Sequence, residues 1–453
     1  MPKITKLLVA NRGEIACRIM ATCRSMGIET VAVYSDADEN SAHVALADEA
    51  ISIGPAPAKE SYLRGGAVID AARKCGADAI HPGYGFLSES PAFADAVKEA
   101  GLIWIGPDSR TIEKMGDKDN ARTIAKSAGV PVLAGSSRFA LDRLDTLESE
   151  AAAIGYPVLV KAAAGGGGIG MRRVDDGTSL RSVVSKTQSM AERSFGDGTV
   201  YLERFVPKAR HVEVQIFGFG DGTAVHVYDR DCSVQRRFQK VIEEAPAPNL
   251  SDAVRSEMQE AAVRLAESVS YSGAGTVEFI YDADRQDFSF LEMNTRIQVE
   301  HPVTELVAGI DLVAWQIEQA AGILAPRDQN TIVKTGHAVE ARIYAERPEK
   351  NFFPSPGRIE TLFWPSSRSG LRIDHAVRAG DVITPFYDPM IAKIAASGPD
   401  RPAALALLDT ALSELVITGL STNTAFLRRV IRSDAFQRAD HTTKIIDDLL
   451  VPA

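Results

Sequence analysis

The chain has 453 residues, 45% hydrophobic and 24% charged, with a formal net charge of −10. That length holds about two to four domains of roughly 100 to 200 residues, in an ordinary globular composition. The acidic balance excludes nucleic acid as an extended partner, and no apolar run is long enough to make a membrane a partner.

The N-terminus enters a strand-like run without a signal-peptide pattern. Cys17, Cys23, Cys75 and Cys232 show no CxxC spacing and read as reduced thiols of a cytoplasmic protein. Residues 6–10 predict a strand, and GEIACRIMATCRSMG from Gly13 predicts a helix. Strands TVAVYS, EAISIG, AIHP and LIWIG then alternate with helices around Val68–Lys74 and up to Ala100. This alternation implies an α/β fold with a parallel sheet and helices on both faces. Asp36 follows the second strand, where dinucleotide folds place a ribose-binding acid. The first turn is Asn11-Arg12-Gly13-Glu14, however, not GxGxxG, so a nicotinamide reading is disfavoured.

A helical stretch over 111–128 holds Lys118, and Gly129-Val130-Pro131 ends it. A small α/β unit follows, with strand YPVLVK ending at Lys161, a glycine loop, a helical segment to Phe195 and VYLERFV. HVEVQIFGF alternates His211, Glu213 and Gln215 with Val212, Val214 and Ile216, and Asp221-Gly222 signals a hairpin. A helix over about 252–270 and the hairpin TVEFIYDADRQDFSFLEMN come next, and residues 336–453 read as a β-rich unit closed by helices.

Three stretches carry chemistry. In KAAAGGGGIGM, Lys161 precedes Gly165, Gly166, Gly167 and Gly168, whose backbone N–H groups suit phosphate oxygens. This is not a Walker A loop, because GKS/T is missing. ERFV, from Glu203 to Val206, offers backbone and apolar surface to an adenine. RDCSVQRRFQKVIEEAPAP, with Lys240, is locally basic and suits a small anion; Cys232 within it reads as a small semi-buried residue, not a nucleophile. The most informative stretch is FLEMNTRIQVEHPVTE. A period of two places Glu292, Asn294 and Arg296 on one strand face, with Leu291, Met293 and Ile297 on the other. Oxygen donors suit Mg²⁺, with Glu278 as a second carboxylate. The arginine suits an oxyanion, and Glu300 is placed to act as a base. His43, His226 and His375 read as structural.

Taken in order, VANRGEIACRI, HPGYGFLSE, MGDK, the glycine loop, RDCSVQRR, EEAPAP, EMNTRIQVEHPVTE, GHAVEARI and FPSPG resemble the biotin carboxylases of the ATP-grasp superfamily over nearly the whole chain. The resemblance implies a mixed α/β and α+β architecture. It has a pre-ATP-grasp parallel α/β domain (1–115), an ATP-grasp domain (116–332) with a mobile lid at about 132–205, and a β-rich C-terminal domain (333–453). It also implies ATP phosphates on Lys118, Lys161 and Gly165 to Gly168, and adenosine on Glu203, Val206, His211 and Gln235. Mg²⁺ (or Mn²⁺) falls to Glu278 and Glu292 with Asn294. Bicarbonate falls to Lys240, Arg296 and the Val299 backbone, with Glu300 as base. Arg342 is the implied partner of the biotin ureido oxygen. Glu14, Arg18 and Arg372 match, more loosely, positions near the family's dimer contact.

The family pattern has a histidine where this chain has Phe238, and a basic residue where it has Ile169. No AMKM-type lysine motif precedes Ala453, so biotin is expected on a biotin carboxyl carrier protein or on a segment outside this chain. The implied function is the biotin carboxylase subunit of an acyl-CoA carboxylase of the acetyl-CoA type, a homodimer working with a carboxyltransferase subunit. Alternatives are a urea- or guanidine-type carboxylase, towards which Tyr387–Lys393 leans along with the acyl-CoA enzymes, and a regulatory nucleotide-binding subunit.

Overall fold

The computed structural model describes residues 4–141, 143–163 and 171–450. Strands β1 (Lys6–Val9), β2 (Glu29–Ser35), β3 (Glu49–Gly54), β4 (Ala79–His81) and β5 (Ile103–Trp104) form a parallel sheet in the order β3-β2-β1-β4-β5. Helices α1 (Gly13–Ser25), α2 (Ala42–Leu46), α3 (Gly65–Cys75) and α4 (Pro91–Glu99) separate them. Leu7 and Val9 pack with Ile15 and Ile19 of α1, while Leu8 packs with Val68 of α3 and Phe93 of α4. The strand period of two thus feeds both faces, as the alternating pattern predicts.

The single helix expected over 111–128 is two, α5 (Ser109–Gly116) and α6 (Lys118–Ser127). Asp117 lies between them in extended conformation and accepts from the Asn120 N–H at 2.8 Å, capping α6. That break makes Lys118 the first residue of a helix. The next unit holds α7 (Leu147–Ile154), β6 (Val158–Ala162), β7 (Met171–Val174), α8 (Leu180–Phe195) and β8 (Val200–Arg204). Its small sheet runs β7-β6-β8 and has its own core of Leu147, Val158, Val160, Val184 and Leu202. The segment expected to be helical after the loop begins as strand β7 instead.

The large sheet starts with β9 (Ala209–Phe219), β10 (Ala224–Arg236) and β11 (Gln239–Ala245). After α9 (Asp252–Ser268) come β12 (Ser272–Asp282), β13 (Asp287–Asn294), α10 (His301–Ala308), α11 (Leu312–Ala320) and β14 (His337–Tyr344). Short strands β15 (Glu346–Arg347), β16 (Phe353–Pro354), β17 (Gly357–Arg358) and β18 (Leu362–Phe363) lead to β19 (Leu371–His375), β20 (Val382–Ile383) and β21 (Met390–Gly398). Helix α12 (Arg401–Glu414), β22 (Val416–Ile417), α13 (Thr424–Arg432), α14 (Asp434–Gln437) and α15 (Ile445–Leu450) complete the described chain.

The sheet has eight strands in the order β13-β12-β9-β10-β11-β14-β21-β19. The unit expected from residue 333 onward is therefore not a separate sheet: β14, β21 and β19 extend the one begun by β9. Val212, Val214 and Ile216 pack under α9 with Met258 and Leu265. Their polar alternates His211, Glu213 and Gln215 face the other way, into the site.

Candidate active site

A cavity of about 670 Å³ lies over the polar face of the large sheet. Lys118, Lys161, Glu203, His211, Gln235, Lys240, Glu278, Glu292, Asn294, Arg296 and Arg342 all line it. Residues from 118 to 342 converge because β9, β10, β11, β12, β13 and β14 lie side by side.

At its centre is the Lys240 ammonium. Its Nζ lies 2.6 Å from Glu213 Oε2, 2.8 Å from Glu278 Oε1 and 2.7 Å from Glu300 Oε1. Burial opposes the charged lysine, but these carboxylates outweigh it and hold its pKa well above the ordinary value. Glu300, fully buried just before α10, gives its second oxygen to Arg342 Nη2 at 2.9 Å. Burial would raise the Glu300 pKa; Lys240, Arg342 and Arg230 overcome that and hold it well below the carboxylate range. Beneath them Arg230 is fully buried and bonds Gln215 and Thr304 at 2.8 Å each, with Nε on Glu213.

Glu278 and Glu292 stand directly opposite each other on β12 and β13. Asn294 Nδ2 donates to Glu278 Oε1 at 2.9 Å, and Lys118 Nζ lies 3.3 Å from Glu292 Oε2. Burial opposes ionisation of Glu278, but Lys240 and His211 keep it ionised and its pKa lowered. Two facing carboxylates with an amide oxygen beside them fit a hard, oxygen-preferring divalent cation. His211 bridges Glu278 at 3.0 Å and Gln235 Nε2 at 3.0 Å, which joins both to the carboxylate layer.

The expected common face of Glu292, Asn294 and Arg296 is realised differently. The ladder pairs Glu278 with Glu292 and Phe279 with Phe290, leaving Leu291 as the extra residue of a bulge. Leu291 therefore lines the cavity beside Glu292 instead of opposing it. The strand ends at Asn294, and Arg296 arrives by the following turn, held by Glu89 Oε2 and Gln298 Oε1 at 2.9 Å and Asn294 Oδ1 at 3.0 Å.

Several expected residues sit elsewhere or are already engaged. Lys161 Nζ and Arg122 Nη1 each lie 2.7 Å from the Glu203 carboxylate. Glu203's backbone is paired with Leu159 on one side and bridged to Gly135 on the other, so it is not a loose edge for a base. Val206 is buried and is not part of the cavity wall. The Val299 carbonyl accepts from Lys393 Nζ at 2.8 Å. Gly165 to Gly168 and Ile169 lie outside the described residues. Cys232 is fully buried, not semi-buried; burial and then Glu213 push its thiol well up, so it is inert. Glu14, Arg18 and Arg372 are engaged within this chain: Arg18 with Glu305 and Asp311, Arg372 with Glu305 and Asp374, Glu14 with Lys393.

Sequence reasoning missed Glu213, Arg230, Glu89 and Arg122 as members of the site. The alternation of HVEVQ was the available signal for Glu213, because it shares a face with His211. Glu89 and Arg122 are distant partners that no local spacing announces.

Comparison with known proteins gives this geometry a family. The family model "Biotin carboxylase, N-terminal domain" matches residues 3–112, and "Biotin carboxylase C-terminal domain" matches 340–448. "Carbamoyl-phosphate synthase L chain, ATP binding domain" matches 117–326 between them. This chain belongs to the biotin carboxylases. It is 47% identical over 444 residues to Biotin carboxylase 1 of Bacillus subtilis, covering 98% of each. It is 50% identical over 443 residues to the mitochondrial methylcrotonoyl-CoA carboxylase subunit alpha of Dictyostelium discoideum. There the match takes in 98% of this chain but 63% of that protein's length. Among solved structures, the Hydrogenobacter thermophilus 2-oxoglutarate carboxylase biotin carboxylase domain dimer, in complex with MgADP, ADP and bicarbonate, matches at 40% identity with a TM-score of 0.90. That match covers 99% of this chain and 98% of that one. Biotin carboxylases are ATP-dependent ligases that use Mg²⁺ and biotin. No helix among the described residues is long and apolar enough to cross a membrane.

Proposed function

We propose that this chain carboxylates biotin on a separate carrier, with ATP and bicarbonate as substrates, as the biotin carboxylase component of an acyl-CoA carboxylase. The observation that carries this reading is the Lys240 cluster. One ammonium joins a candidate metal carboxylate, Glu278, to the candidate base, Glu300, which in turn holds the candidate biotin arginine, Arg342.

In this reading Lys118, Lys161 and the glycine loop hold the phosphates, with Glu203, His211 and Gln235 towards the adenosine. Glu278, Glu292 and Asn294 would hold Mg²⁺, which supplies charge neutralisation at the phosphates. Lys240 and Arg296 bind bicarbonate. An anion entering between them competes with Glu300 for Lys240, and that raises the basicity of the carboxylate that must take its proton. The deprotonated bicarbonate attacks the γ-phosphate and displaces ADP to give carboxyphosphate, which breaks down to CO₂ and phosphate. Arg342 then faces the ureido oxygen of biotin, where negative charge develops as N1′ passes its proton to that phosphate before attacking CO₂.

The acyl-CoA assignment is supported by the 50% identity to a methylcrotonoyl-CoA carboxylase subunit. The acetyl-CoA acceptor expected from sequence has no such support, and the 2-oxoglutarate carboxylase likeness shows that one scaffold serves several acceptors. The dimeric likeness supports a homodimer, with a mass near twice the 48.7 kDa chain by light scattering. The decisive experiment is ATP hydrolysis with and without bicarbonate, and its response to free biotin. Hydrolysis indifferent to bicarbonate would refute the reading. Capture of a biotinylated carrier by this chain, with the carboxyltransferase it serves, would identify the acceptor.

A further inference from the structure

Two buried carboxyl groups play no part in that scheme. Glu243 on β11 and Glu340 on β14 stand directly opposite each other in the antiparallel ladder. Side chains so placed leave the sheet on one face as close neighbours. Both residues are fully buried. Arg342, two positions along β14, shares that face. Its Nε lies 2.6 Å from Glu243 Oε1, while its Nη2 donates to Glu300. The arginine is therefore flanked by the base on one side and by Glu243 on the other.

The second contact is close but not aligned as a hydrogen bond. Neither oxygen of Glu243, and neither of Glu340, has a hydrogen-bond donor among the described residues. Bare carboxylates buried on neighbouring strands are costly, and such acids relieve the cost by taking up a proton. The charges facing Glu243 are Arg342 and Glu340 on β14, Glu300 before α10 and Lys240 on its own strand. Behind Glu340 stand Lys393 on β21 and Asp374 on β19. Glu14 of α1 reaches Lys393 at 3.2 Å and is bonded by Tyr84. Burial, opposed by Arg342 and helped by Glu300, pushes the Glu243 carboxyl up to about 7. Burial also pushes the Glu340 carboxyl well up, against Lys393 and with Glu243 adding to it.

Resting on the biotin carboxylase reading, we propose that Glu243 is a positioning residue for the biotin half-step, anchoring the Nε edge of Arg342, and that protonation of Glu243, whose cross-strand neighbour is Glu340, releases the anchor. Ionised, Glu243 keeps the guanidinium on the β11 side with its Nη edge presented to the cavity. Protonated, it leaves Arg342 to Glu300 alone, and the two quench each other. The sign follows: the anchor is present above about pH 7 and is lost as pH falls through it.

The test is a pH profile at saturating ATP and bicarbonate. In the wild type, kcat/KM for free biotin rises through about pH 7, while biotin-independent ATP cleavage lacks that limb. Glu243→Gln removes the limb and raises the KM for biotin about tenfold, roughly the loss of one charge-assisted contact, with ATP cleavage within about twofold. Glu243→Asp keeps the limb, because it keeps a titrating group. A limb that survives in Glu243→Gln, or equal loss of both activities there, overturns the proposal. Should Glu243→Gln fail to fold, an active wild type without the limb overturns it as well. Absence of bicarbonate-dependent cleavage in the wild type overturns the functional reading instead, and the proposal with it.

Discussion

The two ends of the cavity are built on opposite plans. At the Lys240 end the charges are buried and answered from the large sheet and the residue that opens α10: Lys240 by Glu213, Glu278 and Glu300, and Arg342 by Glu243 and Glu300. At the nucleotide end Lys118 is 76% exposed and lies 3.3 Å from a half-exposed Glu292. Breaking a buried pair leaves an uncompensated charge and is costly, whereas an exposed pair contributes little to stability. The first end is therefore rigid and specified by strand register. The second is left to be ordered by whatever binds. Mutations should divide accordingly, into those that cost turnover and those that cost nucleotide affinity.

The largest expected effect is at the buried end. Glu300→Gln keeps the shape but removes the proton acceptor that Lys240 and Arg342 share. Bicarbonate-dependent ATP hydrolysis should fall by about 10² to 10⁴, the usual worth of a general base. Nucleotide binding, followed by fluorescence or calorimetry, should survive. Turnover near the wild-type level would remove Glu300 from this role and dissolve the contrast.

Next comes Arg342→Ala, which separates the two half-steps within the same end. Biotin carboxylation should fall about 10²- to 10³-fold, the range for losing one donor to developing charge. Bicarbonate-dependent ATP cleavage should fall less. Equal loss would mean that Arg342 organises the whole buried layer.

Lys118→Ala probes the open end. Its thermal midpoint should stay close to the wild type, since the pair with Glu292 is exposed. The KM for ATP should rise about tenfold with kcat largely kept, the cost of one charge-assisted contact. A fall in kcat with KM unchanged would show that the lysine acts at the transition state and not in ordering the bound nucleotide.

The same division explains what was legible in the chain before its structure. Short apolar runs placed β1 and β2, and apolar alternation placed β9, because each of these strands feeds a core. Glu292 and Asn294 were legible as a pair for the same reason. The bulge at Leu291 was not, because an extra residue leaves the local alternation intact and shows only in the register with β12. The break at Asp117 was hidden by a helical pattern on both sides, although the capping acid was present. Glu89 beside Arg296 and Arg122 beside Glu203 join elements 207 and 81 positions apart. Glu14, Arg18 and Arg372 were read only as loose matches to positions near the family's dimer contact, and within the chain Arg18 and Arg372 meet on Glu305, which ties α1 to α10 and β19. Charges read from a sequence carry no sign of which partner neutralises them.

The smallest expected effect concerns Phe238, which belongs to the open end. It sits with Arg237 in the two-residue turn between β10 and β11, where Arg236 pairs with Gln239. Both turn residues have positive φ, 49° and 62°, a conformation that such turns usually give to glycine or asparagine. A phenyl ring held there, 64% exposed on the cavity wall, is costly to both backbone and solvation and calls for a functional return. Two returns have opposite signs. If the position serves the nucleotide by hydrogen bonding, Phe238→His supplies a donor and lowers the KM for ATP by up to about tenfold. If the ring packs on the bound nucleotide, the same change removes apolar contact and raises KM by several-fold. The missing polar group favours the first outcome, because a donor there strengthens a site in which Lys118 is exposed. Bicarbonate dependence should stay the same in either case, since Phe238 makes none of the contacts of Lys240, Arg296 or Glu300. A mutant unchanged in ATP affinity would place Phe238 outside nucleotide handling, and the strained turn would then need another explanation.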